Sequence, residues 1–224
     1  MGDEAAVLRT RMVNNQLRTF DVTDYRVQDA FLDVPREAYV PDDQRAIAYS
    51  DEAIVIARDA VGQPARTMTR PAVLGRLLQL AQIGPDDVVL LVGAGSGYTA
   101  AVVGQLAGSV IALECDEALS GAATERLEAN EVTNAVVVTG PLEAGYPSEA
   151  PYDVIFCDGA IETEPTQLVA QLKEGGRLVA IEGLGLSGRA KVYVKSEHGT
   201  STRALFNAAA SPLPGFTPEP AFEF

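Results

Sequence analysis

The chain is poor in the residues that most often carry chemistry. Its 224 residues include one histidine, His198, and two cysteines, Cys115 and Cys157. One histidine without paired cysteines excludes the usual zinc centres, so no metal is expected. Both cysteines sit in apolar, strand-like surroundings and read as buried thiols rather than a disulfide. Basic residues are scarce too. The 17 Lys and Arg face 31 Asp and Glu, for a net charge of −14 and a pI near 4.4. Such a surface repels phosphate backbones, so nucleic acid is not an expected partner. The start, MGDEAAVLRTRM, has no apolar core region, so no signal peptide is expected. A cytoplasmic location without membrane association is the resulting expectation. The apolar fraction of 47% is ample for a folded core.

Charge is missing altogether from residues 88–113, VVLLVGAGSGYTAAVVGQLAGSVIAL. The length would suit a membrane span, but five glycines and several polar side chains divide the run into parts with different periods. DVVLLV is a continuous apolar run of the kind a doubly covered parallel strand requires. YTAAVVGQLA has helical spacing, and SVIALE is a second strand ending in an acid. Strand, glycine turn, helix and strand make one βαβ unit, whose buried strands explain the missing charge without lipid.

The turn is Gly93-Ala94-Gly95-Ser96-Gly97. Glycines between a strand and a helix leave backbone N–H groups open and let a ligand approach the main chain. The spacing G-x-G-x-G differs from the dinucleotide fingerprint G-x-G-x-x-G and suits a nucleoside ligand without a pyrophosphate. Glu114 lies 21 positions after Gly93, at the end of the next strand. A carboxylate there can accept both hydroxyls of a ribose. The alternative is a tight turn beside a surface glutamate.

The alternation continues downstream. EALSGAATERLEAN reads as a helix, NAVVVTG as a strand, and Val154 to Cys157 as a strand ending at Asp158. EPTQLVAQLKEGGRLVAIEG reads as a helix closed by Gly175 and Gly176 and then a strand. The segment from Ala190 to Ala209, with His198 in its turn, reads as an edge hairpin. This pattern implies an α/β fold, a mixed sheet with helices on both faces. Before residue 86 the pattern differs. RMVNNQL reads as a short helix. Thr23 is a candidate cap for a helix ended by Pro35, and a helix runs from Pro71 to Gly84. Residues 50–71 show no helical period. The expected organisation is an N-terminal helical and loop cap over residues 1–85, an α/β core over 86–210, and an extended Pro/Phe-rich tail over 211–224.

Several stretches together resemble the protein-L-isoaspartate O-methyltransferase family: MVNNQLR, VPREAYVPDDQRAIAYSDEAI, RTMTRP, VGAGSGYTAAVV, APYD and QLKEGGRLV. They run in the family's order from about Met12 to Gly183. The VPREAYVP…AYSD segment is the most specific, because glycine turns are shared by many methyltransferases. The resemblance implies a Rossmann-like class I methyltransferase fold with a seven-stranded mixed sheet. It implies S-adenosyl-L-methionine as cofactor, S-adenosyl-L-homocysteine as product, and damaged proteins or peptides bearing isoaspartyl residues as substrate. A monomer or weak dimer is expected.

Carried over by position, the resemblance makes Thr69 the catalytic candidate, where the family has a serine. Thr67 and Met68 would line the cofactor, together with Gly93, Ala94, Gly95, Ser96, Gly97, Glu114 and Cys115. Leu142 would offer its N–H to the adenine ring. Thr69 reads equally well as a helix cap before Pro71. Asp51 matches an acid that orders its loop. Arg66 and Arg70 are candidates to meet an anionic substrate, with solvated surface as the alternative, and Asp158 joins them as a strand-end acid facing the crevice. The chain departs from the family in four places. Leu91 replaces an acid two residues before the glycine turn. Pro141 replaces the aspartate that meets the adenine amine. Residues 57–69 are longer and lack the family's glycines, and Asp158 replaces a small neutral residue. These departures keep two alternatives open: a methyltransferase with a different acceptor, and a non-catalytic relative that binds a nucleoside or a partner.

Overall fold

The computed structural model describes residues 2–217. Phe222 and Phe224 of the expected tail lie outside the described residues. The chain opens with α1 (Gly2–Met12), which runs into a π-helical turn at Val13–Leu17. Helix α2 (Tyr25–Asp33) follows. Strands β1 (Ile54–Arg58) and β2 (Pro64–Met68) form an antiparallel hairpin of their own. Helix α3 (Pro71–Ala81) leads into the main sheet. That sheet is built from β3 (Val88–Val92), α4 (Tyr98–Gly104), β4 (Ser109–Glu114), α5 (Glu117–Ala129), β5 (Ala135–Thr139), β6 (Tyr152–Ile161), α6 (Thr166–Ala170), β7 (Leu172–Glu182), β8 (Arg189–Ser196) and β9 (Gly199–Asn207). Its strand order is β5-β4-β3-β6-β7-β8-β9. The pairs from β5 to β7 are parallel, and β8 and β9 return antiparallel.

Strand periodicity explains the two cores. Successive side chains of β3 point to opposite faces. Val89 and Leu91 join Phe31, Leu74 and Tyr98 on one side. Leu90 and Val92 join Leu113, Ile155 and Leu178 on the other. From β3 the chain builds outward to β4 and β5, then crosses to β6 on β3's other flank. The carboxyl ends of β3 and β6 therefore lie at the point where the winding reverses, where open α/β sheets bind ligands. The glycine turn follows β3 there, and Asp158 sits in β6 beside it.

The structure departs from the sequence reading in four local features. The cap of α2 is Asp24, whose carboxylate accepts the Arg26 N–H at 2.8 Å. Thr23 instead donates its N–H to Gln79 Oε1. Helix α3 stops at Gln82, which takes a left-handed φ of 48°, two residues before Gly84. Strand β6 does not end at Asp158 but runs on to Ile161, with a register shift between Phe156 and Ala160. Finally, Gly175 and Gly176 do not end a helix. Helix α6 stops at Ala170, and the glycines sit in a bulge of β7, where pairing jumps from Tyr152↔Leu172 to Val154↔Arg177. A Cβ on Gly176 would lie 2.8 Å from the Lys173 carbonyl, so the bulge needs glycine.

The loop before the hairpin is anchored by a buried arginine. Arg36, from the VPREAYV segment, is fully buried. Its Nε donates to the Ala48 carbonyl at 2.9 Å and its Nη2 to the Thr69 carbonyl at 3.1 Å. The guanidinium lies 4.6 Å from the centroid of the Tyr98 ring. Replacing Arg36 by Met fills similar space but strands both carbonyls. A loss of about 2–4 kcal/mol is expected, or a melting point lower by about 5–15 °C. A thermal melt within about 2 °C of wild type would contradict this anchoring role.

Candidate active site

Glu114 ends β4 fully buried. Its carboxylate is gripped by Arg66 of β2, with Nη1 to Oε1 at 2.6 Å and Nη2 to Oε2 at 2.9 Å. It also accepts the Gly95 N–H at 2.7 Å, the Cys115 N–H at 2.9 Å and the Asp116 N–H at 3.2 Å. Burial alone would raise its pKa. The hydrogen bonds and charge of Arg66, helped by the backbone N–H groups, more than reverse that and hold the carboxyl below its ordinary range. Burial likewise disfavours the Arg66 cation, and Glu114 outweighs it in the same way.

A second carboxylate lies across the crevice. Asp158 Oδ1 accepts the Thr69 hydroxyl at 2.6 Å, and Oδ2 accepts the Thr99 hydroxyl at 2.5 Å. Here burial wins. Despite the two hydroxyls and the charges of Arg66 and Arg36, the Asp158 carboxyl is pushed above its ordinary range. The neighbouring Cys157 is fully buried in the second core, and burial pushes its thiol up to about 12. It is an inert packing thiol.

The glycine turn lacks the open N–H groups that the sequence implied: Gly93 and Ala94 donate to the Leu113 carbonyl, Gly95 to Glu114 and Gly97 to the Ala94 carbonyl. The turn is covered as well. Gly93 and Gly95 take φ of 90° and 54°. A Cβ on Gly93 would lie 2.8 Å from Leu213 Cδ2 and 3.4 Å from Arg66 Nη2, and one on Gly95 would lie 3.0 Å from Ile56 Cδ1. Leu213 reaches the turn because residues after β9 fold back along the end of β6. Ala160 N–H donates to the Ser211 carbonyl and Leu213 N–H to the Ala160 carbonyl, both at 2.8 Å. The hydroxyls of Thr67 and Ser211 meet at 2.7 Å, tying hairpin to tail. The crevice between the turn, the hairpin, Thr99 and Asp158 retains about 10 Å³ of free space, room for about one water.

Comparison with known proteins places this geometry. The family profile described as "Protein-L-isoaspartate(D-aspartate) O-methyltransferase (PCMT)" matches residues 9–209. The chain belongs to the protein-L-isoaspartate O-methyltransferase family. It is 40% identical over 174 residues to the protein-L-isoaspartate O-methyltransferase of Koribacter versatilis (strain Ellin345), covering 78% of this chain and 76% of that one. It is 42% identical over 176 residues to that of Methylorubrum extorquens (strain PA1), covering 79% and 74%. Among solved structures, a protein-L-isoaspartate O-methyltransferase matches with a TM-score of 0.79 at 25% identity, over 92% of this chain and 66% of that one. A Plasmodium falciparum structure in complex with S-adenosyl-L-homocysteine matches with a TM-score of 0.76 over 92% and 97%. At 19% identity that likeness speaks for the fold alone. The class I methyltransferase architecture with its seven-stranded mixed sheet is thus the fold of this family member.

Against the family's expected site, the residues divide into two groups. Arg66, Thr67, Met68, Gly93, Ala94, Gly95, Ser96 and Asp158 all line the crevice. Thr69 and Glu114 reach it through their bonds to Asp158 and to the Gly95 N–H. Thr69 does not cap α3: the N-cap residue is Arg70, which makes no side-chain cap bond, and the Thr69 hydroxyl donates to Asp158. Gly97, at φ 89°, starts α4 and packs on Ala123. Cys115 flanks Glu114, its Sγ 3.5 Å from Oε1. Leu142 is fully buried in the second core with Leu113 and Cys157. Asp51 and Arg70 bond each other at 2.6 Å, and the Asp51 carboxylate also accepts the Ala72 N–H at 3.3 Å. Asp51 thus orders the start of α3, and neither residue lines the crevice. Arg66, for which a solvated surface was the alternative, is 7% exposed. Thr99 stands two positions after the turn but reads in the sequence only as part of the helix. Ile56, Ser211 and Leu213 carry no signal, because nothing in their spacing ties them to the turn.

A carboxylate beside a glycine turn would suit the sugar of the family's cofactor, S-adenosylmethionine, and Glu114 is the carboxylate that stands there. Arg66 engages both oxygens of that carboxylate, and Leu213 lies against Gly93. Asp158 offers an independent check on the electrostatics. Its folded pKa lies above the unfolded value. Its charge therefore lowers stability at neutral pH, and that loss fades as pH falls through the folded pKa towards the unfolded one. Asp158→Asn should melt above wild type at pH 8, by a margin that shrinks towards pH 4. A margin that stays constant or grows on acidification would contradict the assignment.

Proposed function

We propose that this chain is an S-adenosylmethionine-dependent carboxyl O-methyltransferase acting on isoaspartyl residues in damaged proteins and peptides. The observation that carries the reading is the buried Glu114 carboxylate set against the Gly95 N–H at the switch point of the sheet. When bound, the cofactor supplies an activated methyl group and leaves as S-adenosylhomocysteine. Glu114 and the Gly93–Gly95 main chain would hold its nucleoside, and Thr67 and Met68 would form the opposite wall.

The chain's own residues meet modest chemical demands. An acceptor carboxylate has an unperturbed pKa near ~4 and is ionised at neutral pH, so it needs no strong base. A protein with one histidine can therefore do this chemistry by alignment. Thr69 is the group placed to touch the acceptor, with its backbone held by Arg36 and its hydroxyl donating to Asp158. Two carboxyls in one small site do not both stay charged. Burial favours the neutral form of Asp158, so a proton taken up from solvent as the acceptor carboxylate binds would go to Asp158. Thr69 then turns its donor to the acceptor.

Other features support the finer readings. The net charge of −14 disfavours nucleic acid as substrate. No helix among the described residues is long and apolar enough to cross a membrane. We further infer a cytoplasmic enzyme that is monomeric or weakly dimeric.

A second reading draws on Asp158. A carboxylate bonded to Thr69 also suits a protic, uncharged acceptor whose proton it would take. Incubation with labelled S-adenosylmethionine separates the two. Methyl ester should form on an isoaspartyl peptide and not on its aspartyl isomer. Glu114→Gln should lower the rate constant kcat/KM by about one to two decades, the worth of charge-assisted hydrogen bonds. Label in a metabolite pool but not in the peptide would favour the second reading. No ester above the Glu114→Gln control would defeat the first.

A further inference from the structure

The crevice is closed from within by two parts of the chain that are bonded to each other. Arg66 covers both oxygens of Glu114 in a bidentate pair. A carboxylate engaged in this way has its outward lone pairs filled and cannot also accept a pair of sugar hydroxyls. Leu213 seats on Gly93 and Gly159, where a Cβ on either glycine would come within 2.8 Å of its side chain. The Thr67–Ser211 hydroxyl bond at 2.7 Å couples the two covers, so one does not open without straining the other. The hairpin that carries Arg66 pairs with no strand of the main sheet, and its register shifts between Val55 and Arg58.

We propose that Arg66 sets cofactor affinity in this chain by competing with the cofactor's sugar for Glu114, with the Ser211–Leu213 stretch as the second half of the same closure. The proposal rests on the methyltransferase reading above. Opening exchanges a full counter-ion for neutral hydroxyl dipoles on a buried carboxylate, so the closed state is favoured. Apparent affinity then falls in proportion to the open fraction. Arg66 acts here as a positioning residue.

Calorimetric titration of the full chain with S-adenosylhomocysteine tests this without activity. Arg66→Met, which keeps bulk and removes the charge, should bind at least about tenfold more tightly than wild type. Arg66→Lys restores a charge without the planar fork and should fall between them. Leu213→Ala opens the other cover without touching Glu114 and should also tighten binding. If Arg66→Met fails to fold, Leu213→Ala decides alone. Wild type binding as tightly as the variants would overturn the competition and leave the methyltransferase reading standing. No binding by wild type or any variant would overturn both.

Discussion

A carboxylate with no exposed surface, Glu114, is the constraint around which this molecule is arranged. Burying an ionised carboxyl is tolerable only when a counter-charge and hydrogen-bond donors surround it. The chain provides both, the charge from Arg66 and the donors from the Gly95, Cys115 and Asp116 N–H groups. Each demand shapes something larger. The Gly95 donor fixes the path of the turn. The Arg66 cation draws a separate hairpin down onto the sheet's carboxyl edge, and the hairpin in turn meets the returning tail through Thr67 and Ser211.

The fold makes that arrangement possible before any ligand is involved. Winding outward from β3 to β5 and then back to β6 leaves the ends of β3 and β6 side by side at the switch point. Asp158, Thr99 and Thr69 converge there from β6, α4 and the segment before α3. Arg36 holds the Thr69 carbonyl from beneath while its guanidinium lies over Tyr98. One acidic group is therefore stabilised as an anion and the other destabilised, within a single crevice. Arg66 pairs directly with Glu114, whereas burial outweighs the two hydroxyl donors and more distant cations around Asp158.

Much of this was legible in the sequence wherever the signal was local. The uncharged run from Val88 resolved into β3, α4 and β4 because strand and helix periods differ. Glu114 stood out because an acid ending such a strand has a reason to be there. Family likeness then brought Thr67 to Thr69 to the crevice. The partner of Glu114 was not legible. Arg66 lies 48 positions away, in a segment whose register shifts blur any strand period. Leu213 was equally hidden, since a proline-rich tail does not disclose which glycines it will cover. The pair at Gly175 and Gly176 misled for the opposite reason, because a helix stop and a strand bulge use the same residue for the same conformational freedom.

The most direct test of the central constraint is a double-mutant cycle on Arg66 and Glu114, with unfolding in denaturant read for wild type, Arg66→Met, Glu114→Gln and the double variant. A buried, hydrogen-bonded ion pair predicts that the double variant is less destabilised than the sum of the singles, with a coupling of about 2–3 kcal/mol. Additive losses, with a coupling below about 0.5 kcal/mol, would mean that the two side chains do not depend on one another and would contradict the account.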